Sequence, residues 1–355
     1  MLQTRSPLAM VLMGWCLSAL MVSAADIDAS PVAGRFMMQA GSPHPAPPPE
    51  FPIPTLPSIQ AVTVTGEHVL YAGSFGRGVF RSDDRGKTWA PVNTGMTDPF
   101  ILSLACSKDG AIYAGTFRAG VFKSHNGGDS WEAVNSGLKR LEVKALLIHG
   151  GVLYAGTGDG LYRRRLDEDQ WSVVTNGLDE TLVHSVAISP DRTMYVGTSG
   201  RGVFRYDNNP HSPGWTRLSR GLVDHEGLVE NFIRVVAVDK DNAVYAGTFD
   251  GGVFLSSDRG KSWRPISRAL PNDSIRSIVA NDKGLFVATG RGIFKTQDHG
   301  RQWTPLNNGL AELSVQVLVA SADGALYAGT SSGLFRSDDD GRTWIAISQG
   351  LAADR

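Results

Sequence analysis

Seven tryptophans cut the chain into units of nearly equal length. Trp89, Trp131, Trp171, Trp215, Trp263, Trp303 and Trp344 are separated by 42, 40, 44, 48, 40 and 41 residues. The same series of short runs stands ahead of each. A β-branched run such as SVQVLVAS comes first. A Tyr-Ala-Gly-Thr element follows: LYAGS, IYAGT, LYAGT, MYVGT, VYAGT, LFVAT and LYAGT. Then comes Gly-Val-Phe or a relative, a polar turn, the tryptophan and usually Asn-x-Gly-Leu. Runs rich in Val, Ile, Tyr, Phe and Thr, punctuated by Gly, Asp and Asn, are strand and turn signals. No sustained 3.6-residue apolar period appears after residue 24. Four strands per ~42-residue unit make one propeller blade. A lone blade cannot cover both of its apolar faces, so the units must stack. The expected fold is all-β: a seven-bladed propeller over residues 58–351, with four antiparallel strands per blade. Blade one has its own inner strand from Ser58, and blade seven ends its outer strand near Ser348. The ring should therefore close without a swapped strand.

The polar turn is SDDRGKTW at 82–89, SSDRGKSW at 256–263 and SDDDGRTW at 337–344. It joins the third strand to the fourth. Asp at its third position and Ser or Thr at its first can hold backbone amides within the turn. Gly at the fifth tolerates positive φ, and the tryptophan should start the outer strand and pack over the turn. Ser82, Asp84, Gly86 and Trp89 fit this scheme. So do Ser256, Asp258, Gly260 and Trp263, and Ser337, Asp339, Gly341 and Trp344. Asp298, Gly300 and Trp303 fit nearly as well. Blade two is looser, with Asn126 in place of Asp. Blades three (RLDEDQW) and four (YDNNPHSPGW) keep only the tryptophan. A catalytic motif would not survive as several weakened copies, so the turn reads as scaffold.

The S-x-D-x-G-x-T-W turn resembles the Asp-box, or BNR repeat, of sialidase-type propellers. The resemblance covers 58–351. It implies the fold closely and the function loosely, since sialidases, xyloglucanases, sortilin ectodomains and photosystem II stability/assembly factors all share it. Sialidases carry a Phe/Tyr-Arg-Ile-Pro motif ahead of the first Asp-box; here the segment is FPIPTLPSIQAV, without arginine. Xyloglucanases place substrate between two such propellers, and residues 58–351 make one. Sortilins have more blades and a cysteine-rich tail. The pattern most resembles the photosystem II assembly factor family, which implies a non-enzymatic assembly role on a membrane-protein partner.

The ends differ from the repeats. MLQTR, an apolar run and Val22-Ser23-Ala24 have the layout of a secretory signal cut after Ala24. The run is short for a ~20-residue membrane span, and Trp15 ahead of Cys16 does not suit a lipoprotein. The expected product is exported, periplasmic or secreted, soluble and monomeric. Cys106 would then be its one cysteine, leaving no internal disulfide. Residues 25–57 include SPHPAPPPEFPIPTLP, with eight prolines. Proline lacks an amide donor, so this is an expected linker or surface strap, or a polyproline ligand. Residues 352–355 form a short tail. The formal net charge is −1, which gives no general attraction to nucleic acid.

Function has one place to gather. In the aligned inner strands, the position two before the shared apolar residue holds Gln60, Leu102, Lys144, His184, Arg234, Arg276 and Gln316. Six are polar and none is acidic. The loops between second and third strands add Arg77, Arg118, Arg201 and Arg291 against Asp159 and Asp250. These residues nominate a basic top face for a protein or peptide partner or another anionic ligand, unless the arginines merely cover apolar blade ends. The connection 221–234, GLVDHEGLVENFIR, is longer than its counterparts and adds Asp224, His225, Glu226 and Glu230. Asp159, Glu226, Glu230 and Asp250 are the alternative: a carboxylate pair at the channel mouth, as a glycosidase would use. No zinc, phosphate-loop or nucleophile-elbow pattern occurs, so no metal or cofactor is expected.

Overall fold

The computed structural model describes residues 56–352 apart from 66–67, 175–176, 179, 208–213, 224–230 and 272–273. The expected signal, most of the Pro-rich segment, the end of the tail and the 224–230 loop lie outside the described residues. The described strands form seven four-stranded antiparallel sheets, each from four consecutive strands. Blade one runs Ile59–Val64, Leu70–Ser74, Gly78–Ser82 and Ala90–Pro91; blade seven runs Val315–Ala320, Leu326–Thr330, Gly333–Ser337 and Ile345–Ala346. No strand is exchanged between them. Among the described residues there is no helix.

Each gap between blades holds one apolar cluster, and there are seven clusters for seven gaps. The closing cluster joins Ile59, Leu70, Phe80 and Trp89 of the first blade to Tyr327, Leu334 and Ile347 of the last. Each fully buried side chain of this kind contributes about 1.5–3 kcal/mol. Closure thus relies on the same burial as every other gap. Packing begins slightly earlier than expected: Leu56 lies against the closing cluster, and the Pro57 carbonyl accepts the Gly333 amide at 3.0 Å.

The repeated residues now have physical reasons. The second strand is buried along its whole length in blades one, two, four, five and seven, which explains its continuous apolar run. A Cβ on its glycine, Gly73 in blade one, would collide with Ile101 of the next inner strand. The Asn of Asn-x-Gly-Leu accepts a third-strand amide: Asn93 from Val79 at 2.7 Å and Asn307 from Ile293 at 2.8 Å. The glycine of that motif, Gly95 for example, has φ +89° and lies against the Trp131 carbonyl of the next blade.

The Asp-box turn is a closed hydrogen-bond circuit. Ser82 Oγ donates to Asp84 at 2.8 Å and accepts the Gly86 amide at 2.8 Å. Asp84 also accepts the Thr88 amide and hydroxyl, at 2.9 and 2.6 Å. These Thr88 bonds hold the Asp84 carboxyl down at about 2. Asp339 is held at about 2 by the same bonds from Thr343. For Asp258, burial works upward, but the Ser262 hydroxyl and amide outweigh it and the value again falls to about 2. Blade two is not looser in substance. Asn126 accepts the Ser130 amide at 3.0 Å and donates to its hydroxyl at 2.9 Å, so an amide group replaces the carboxylate with the circuit intact.

The tryptophan does something the sequence did not suggest. Outer strands begin one residue after it in every blade except the fourth, where Trp215 lies inside Gly214–Leu218. Its indole N–H reaches back to the preceding blade: Trp89 to Ile347 O at 2.7 Å, Trp131 to Val92 O at 2.8 Å and Trp344 to Leu306 O at 2.8 Å. It is a clasp between blades. Trp263 is the exception; its Nε1 is buried with no acceptor among the described residues.

Candidate functional site

All seven inner strands slip register at the same place. The breaks fall at 59/61, 101/103, 183/185, 233/235, 275/277 and 315/317, and in blade three where Thr157 pairs with Val143 and Gly156 with Ala145. A β-bulge inserts one unpaired residue and re-aims its side chain. The inserted residues are Gln60, Leu102, Lys144, His184, Arg234, Arg276 and Gln316, the seven singled out by the alignment. Each is half-buried. The second-to-third turns and the connections between blades arrive at this same end: the Phe75 amide donates to Ser58 O, and the Gly76 amide to Pro99 O. Around the ring, blades three to six supply Lys, His, Arg and Arg, while blades seven, one and two supply Gln, Gln and Leu. The mouth therefore has a cationic arc and a neutral arc.

Within the cationic arc, burial desolvates His184, Arg234 and Arg276, and Lys144, His184 and Arg234 pack against aromatic rings. The Arg234 guanidinium lies 4.1 Å from the Phe249 ring centroid, a contact worth about 0.5–2 kcal/mol. Burial, reinforced by the Arg276 charge, lowers Arg234 to about 10. Arg276 is held by Ser314 Oγ at 2.8 Å, and its Nε is buried without a partner among the described residues. Burial lowers its pKa too, while Glu312 works in the opposite direction. His184 stands edge-on to Phe249, with centroids 5.3 Å apart. Burial first, then Lys144 and Arg234, push it down to about 3. It is a neutral imidazole between two cations. Lys144 sits over Phe117 at 5.5 Å but pairs with Glu142 at 2.8 Å, so its charge is already partly answered.

The outer cations are engaged to differing degrees. Arg118 lies over Phe100 at 4.9 Å, with Nη2 3.9 Å from the buried Asp98. Arg201 donates to Thr181 Oγ1 at 2.6 Å and Arg77 to Leu351 O at 3.4 Å. Arg291 is exposed. Of the alternative carboxylates, Asp159 has both oxygens occupied, by the Thr157 and Tyr162 hydroxyls at 2.8 and 3.0 Å. It is a turn-holding group. Asp250 is exposed, and Glu226 and Glu230 lie outside the described residues. The bulge was not visible in the alignment, and neither were the aromatic supports Phe75, Phe100, Phe117, Phe232 and Phe249. For Phe75, Phe117 and Phe249 the signal was the Phe that opens the turns FGR, FRA and FDG; Phe100 and Phe232 lie on connections between blades.

Two clefts, of about 320 and 390 Å³, lie at the opposite, Asp-box end. They are lined by groups paired across blades, including Lys240 with Asp282 at 2.8 Å and Lys283 with Asp340 at 2.5 Å. Cleft size and the convergence of unusual groups therefore point to different faces. The mouth has the stronger claim, because burial desolvates Arg234 and Arg276, whereas the cleft linings carry exposed ion pairs that bridge blades.

This architecture defines a class, the BNR-Asp box propeller. The BNR-Asp box repeat family matches over residues 79–92, and the DUF6242 beta propeller domain over 209–354. No curated protein matches the chain in sequence. Within the class, its fold resembles that of the photosystem II assembly factor YCF48. The Cyanidioschyzon merolae protein superposes at a TM-score of 0.63 and 13% identity, covering 80% of this chain and 97% of that one. YCF48 bound to D1 peptide gives 0.62 and 13%, over 80% and 92%. The Niastella koreensis GH74 enzyme gives 0.65 and 14%, over 83% of this chain and 54% of that one. The extracellular domain of a B. thetaiotaomicron one-component system gives 0.49 and 19%, and the chain spans only 42% of its length.

Proposed function

We propose that the protein is an exported, non-enzymatic binding propeller that docks an anionic segment of a partner protein on its mouth. The observation that carries this reading is the pair of desolvated guanidiniums, Arg234 and Arg276, each presented at a bulge and held by packing. Two like charges kept close and partly desolvated attract an anion. The split of the mouth adds a direction. Carboxylates of the partner meet the arc from Lys144 to Arg276, and its apolar side chains meet Leu102 and Phe117. That YCF48 has been captured with a peptide supports a peptide as the ligand type. The glycosidase reading is weaker, because Asp159 is committed to its own turn. The test is surface-resonance binding of acidic peptides and their amide-substituted counterparts at low and high salt. The reading expects acidic peptides to bind, more weakly at high salt. Equal binding of both sets would overturn it.

A further inference from the structure

Blade three breaks the Asp-box in an unusual way. Arg164 stands where the other turns have Ser82, Ser124, Ser256, Thr296 or Ser337, and Leu166 stands where they have the carboxylate or amide. The Arg164 side chain is 2% exposed. Its Nε and Nη1 are buried with no hydrogen-bond partner among the described residues. Its Nη2 lies 3.6 Å from Asp169, which is fully exposed and holds it only through solvent-screened attraction. The Leu166 and Glu168 amides are answered by Gly151 O and Arg165 O. The turn therefore closes by other means, and the guanidinium is not needed to satisfy it.

A second donor lies in the same gap between blades. In blade one, the Tyr71 hydroxyl donates across the gap to Gly127 O of the next Asp-box turn at 3.1 Å. Tyr113 is its counterpart in blade two, facing the turn of blade three. It packs in one cluster with Trp171 and Leu153 and feels the Arg164 charge, yet its hydroxyl has no acceptor among the described residues. Lys123 Nζ lies 5.6 Å from the Tyr113 ring centroid. The carboxylates nearby are Asp109, held by Ser107, Glu132, 3.8 Å from His125, and the exposed Asp169. The buried Arg164 guanidinium, 5.9 Å from the Trp171 ring centroid, and Tyr113 thus share one interblade gap beside a turn that lacks its own carboxylate.

We propose that this position is an anion site, in which one small oxyanion takes the place of the missing Asp-box carboxylate between Arg164 and Tyr113. A buried cation with unanswered donors is costly, and a carboxylate or phosphate-type oxygen answers both groups with charge-assisted bonds. The site lies at the Asp-box end and is independent of the mouth. Its effect is to stabilise the gap between blades two and three.

The experiment is thermal unfolding of the full chain in acetate, sulfate or phosphate against chloride, at constant ionic strength and pH 7. The wild type should show a saturable rise in melting temperature with one or more of the oxyanions, and the three arms separate carboxylate from tetrahedral ligands. Arg164→Met should abolish that rise. Should this variant fail to fold, Tyr113→Phe serves instead: it keeps the cation and should weaken the apparent affinity roughly tenfold, as loss of one bond to an anion does. Wild-type melting that does not distinguish oxyanions from chloride would overturn the proposal. So would a saturable rise that survives unchanged in Arg164→Met or in Tyr113→Phe.

Discussion

The two ends of the blades use the same repeat in opposite ways. At the Asp-box end the residue types recur in five blades and their hydrogen bonds recur with them. Ser82, Ser256 and Ser337 each make the same two bonds, and even Asn126 reproduces the circuit. At the mouth the backbone feature recurs, since all seven bulges coincide, but the side chain presented changes from blade to blade. Repetition with satisfied partners marks a device for closing the ring. A repeated pedestal carrying varied, desolvated side chains marks a surface adapted to one ligand.

That contrast can be broken most forcefully at the clasps. Trp344→Ala removes a 4% exposed ring and its bond to Leu306 O. It should cost about 3–5 kcal/mol in urea unfolding, while the folded fraction keeps its affinity for an acidic peptide. Trp263 sharpens the point, because its N–H has no acceptor among the described residues. Trp263→Phe should cost less than Trp344→Phe by roughly the 1 kcal/mol of one hydrogen bond, measured in the same titration. Equal losses would show that the clasp bond contributes little.

A smaller effect is expected inside the turn. Ser256→Ala leaves the Gly260 amide without its acceptor and should cost about 1–2 kcal/mol, again without touching peptide binding.

Acid should separate the two ends by pH. His184 has its pKa lowered from 6.5 to about 3, so the unfolded chain takes up that proton first. Its contribution is complete above pH 6.5 and is lost as pH falls toward 3. Asp84, Asp258 and Asp339 fall from 3.8 to about 2. Their contribution is complete above about pH 4 and is lost as pH falls through 2. Stability should therefore decline in two stages, and His184→Gln should flatten the first while leaving the second.

The smallest effect belongs to the rim. Arg291→Ala should leave the melting temperature unchanged and alter only the on-rate and its salt dependence.

The period of the tryptophans made the blade count and strand order legible, because a four-strand unit must bury both faces. The roles of the Asp-box Ser and Asp were legible from turn chemistry. The bulge was not, since a one-residue slip in pairing leaves no mark in a single strand's alternation; only the odd polarity of Gln60, Lys144, Arg234 and their counterparts pointed to it. Nor was the partial neutralisation of the ring. Glu142 and Asp98 lie on connections between blades, and sequence spacing alone did not bring them to Lys144 and Arg118. The backward reach of the indole N–H was hidden for the same reason, as its acceptor lies a whole blade away.

The central claim is that closing the ring and binding the partner are separate jobs at separate ends. It is tested most directly by comparing two variants in the same two assays, melting temperature and surface-resonance affinity for one acidic peptide. The first variant is Arg234→Glu with Arg276→Glu; the second is Ser256→Ala with Asp258→Ala. The first should lose ~2–5 kcal/mol of binding, mostly through a faster off-rate, with its melting transition retained. The second should melt earlier and bind as the wild type does. Wild-type affinity in the arginine variant, or lost affinity in an Asp-box variant that is still folded at the assay temperature, would contradict the account.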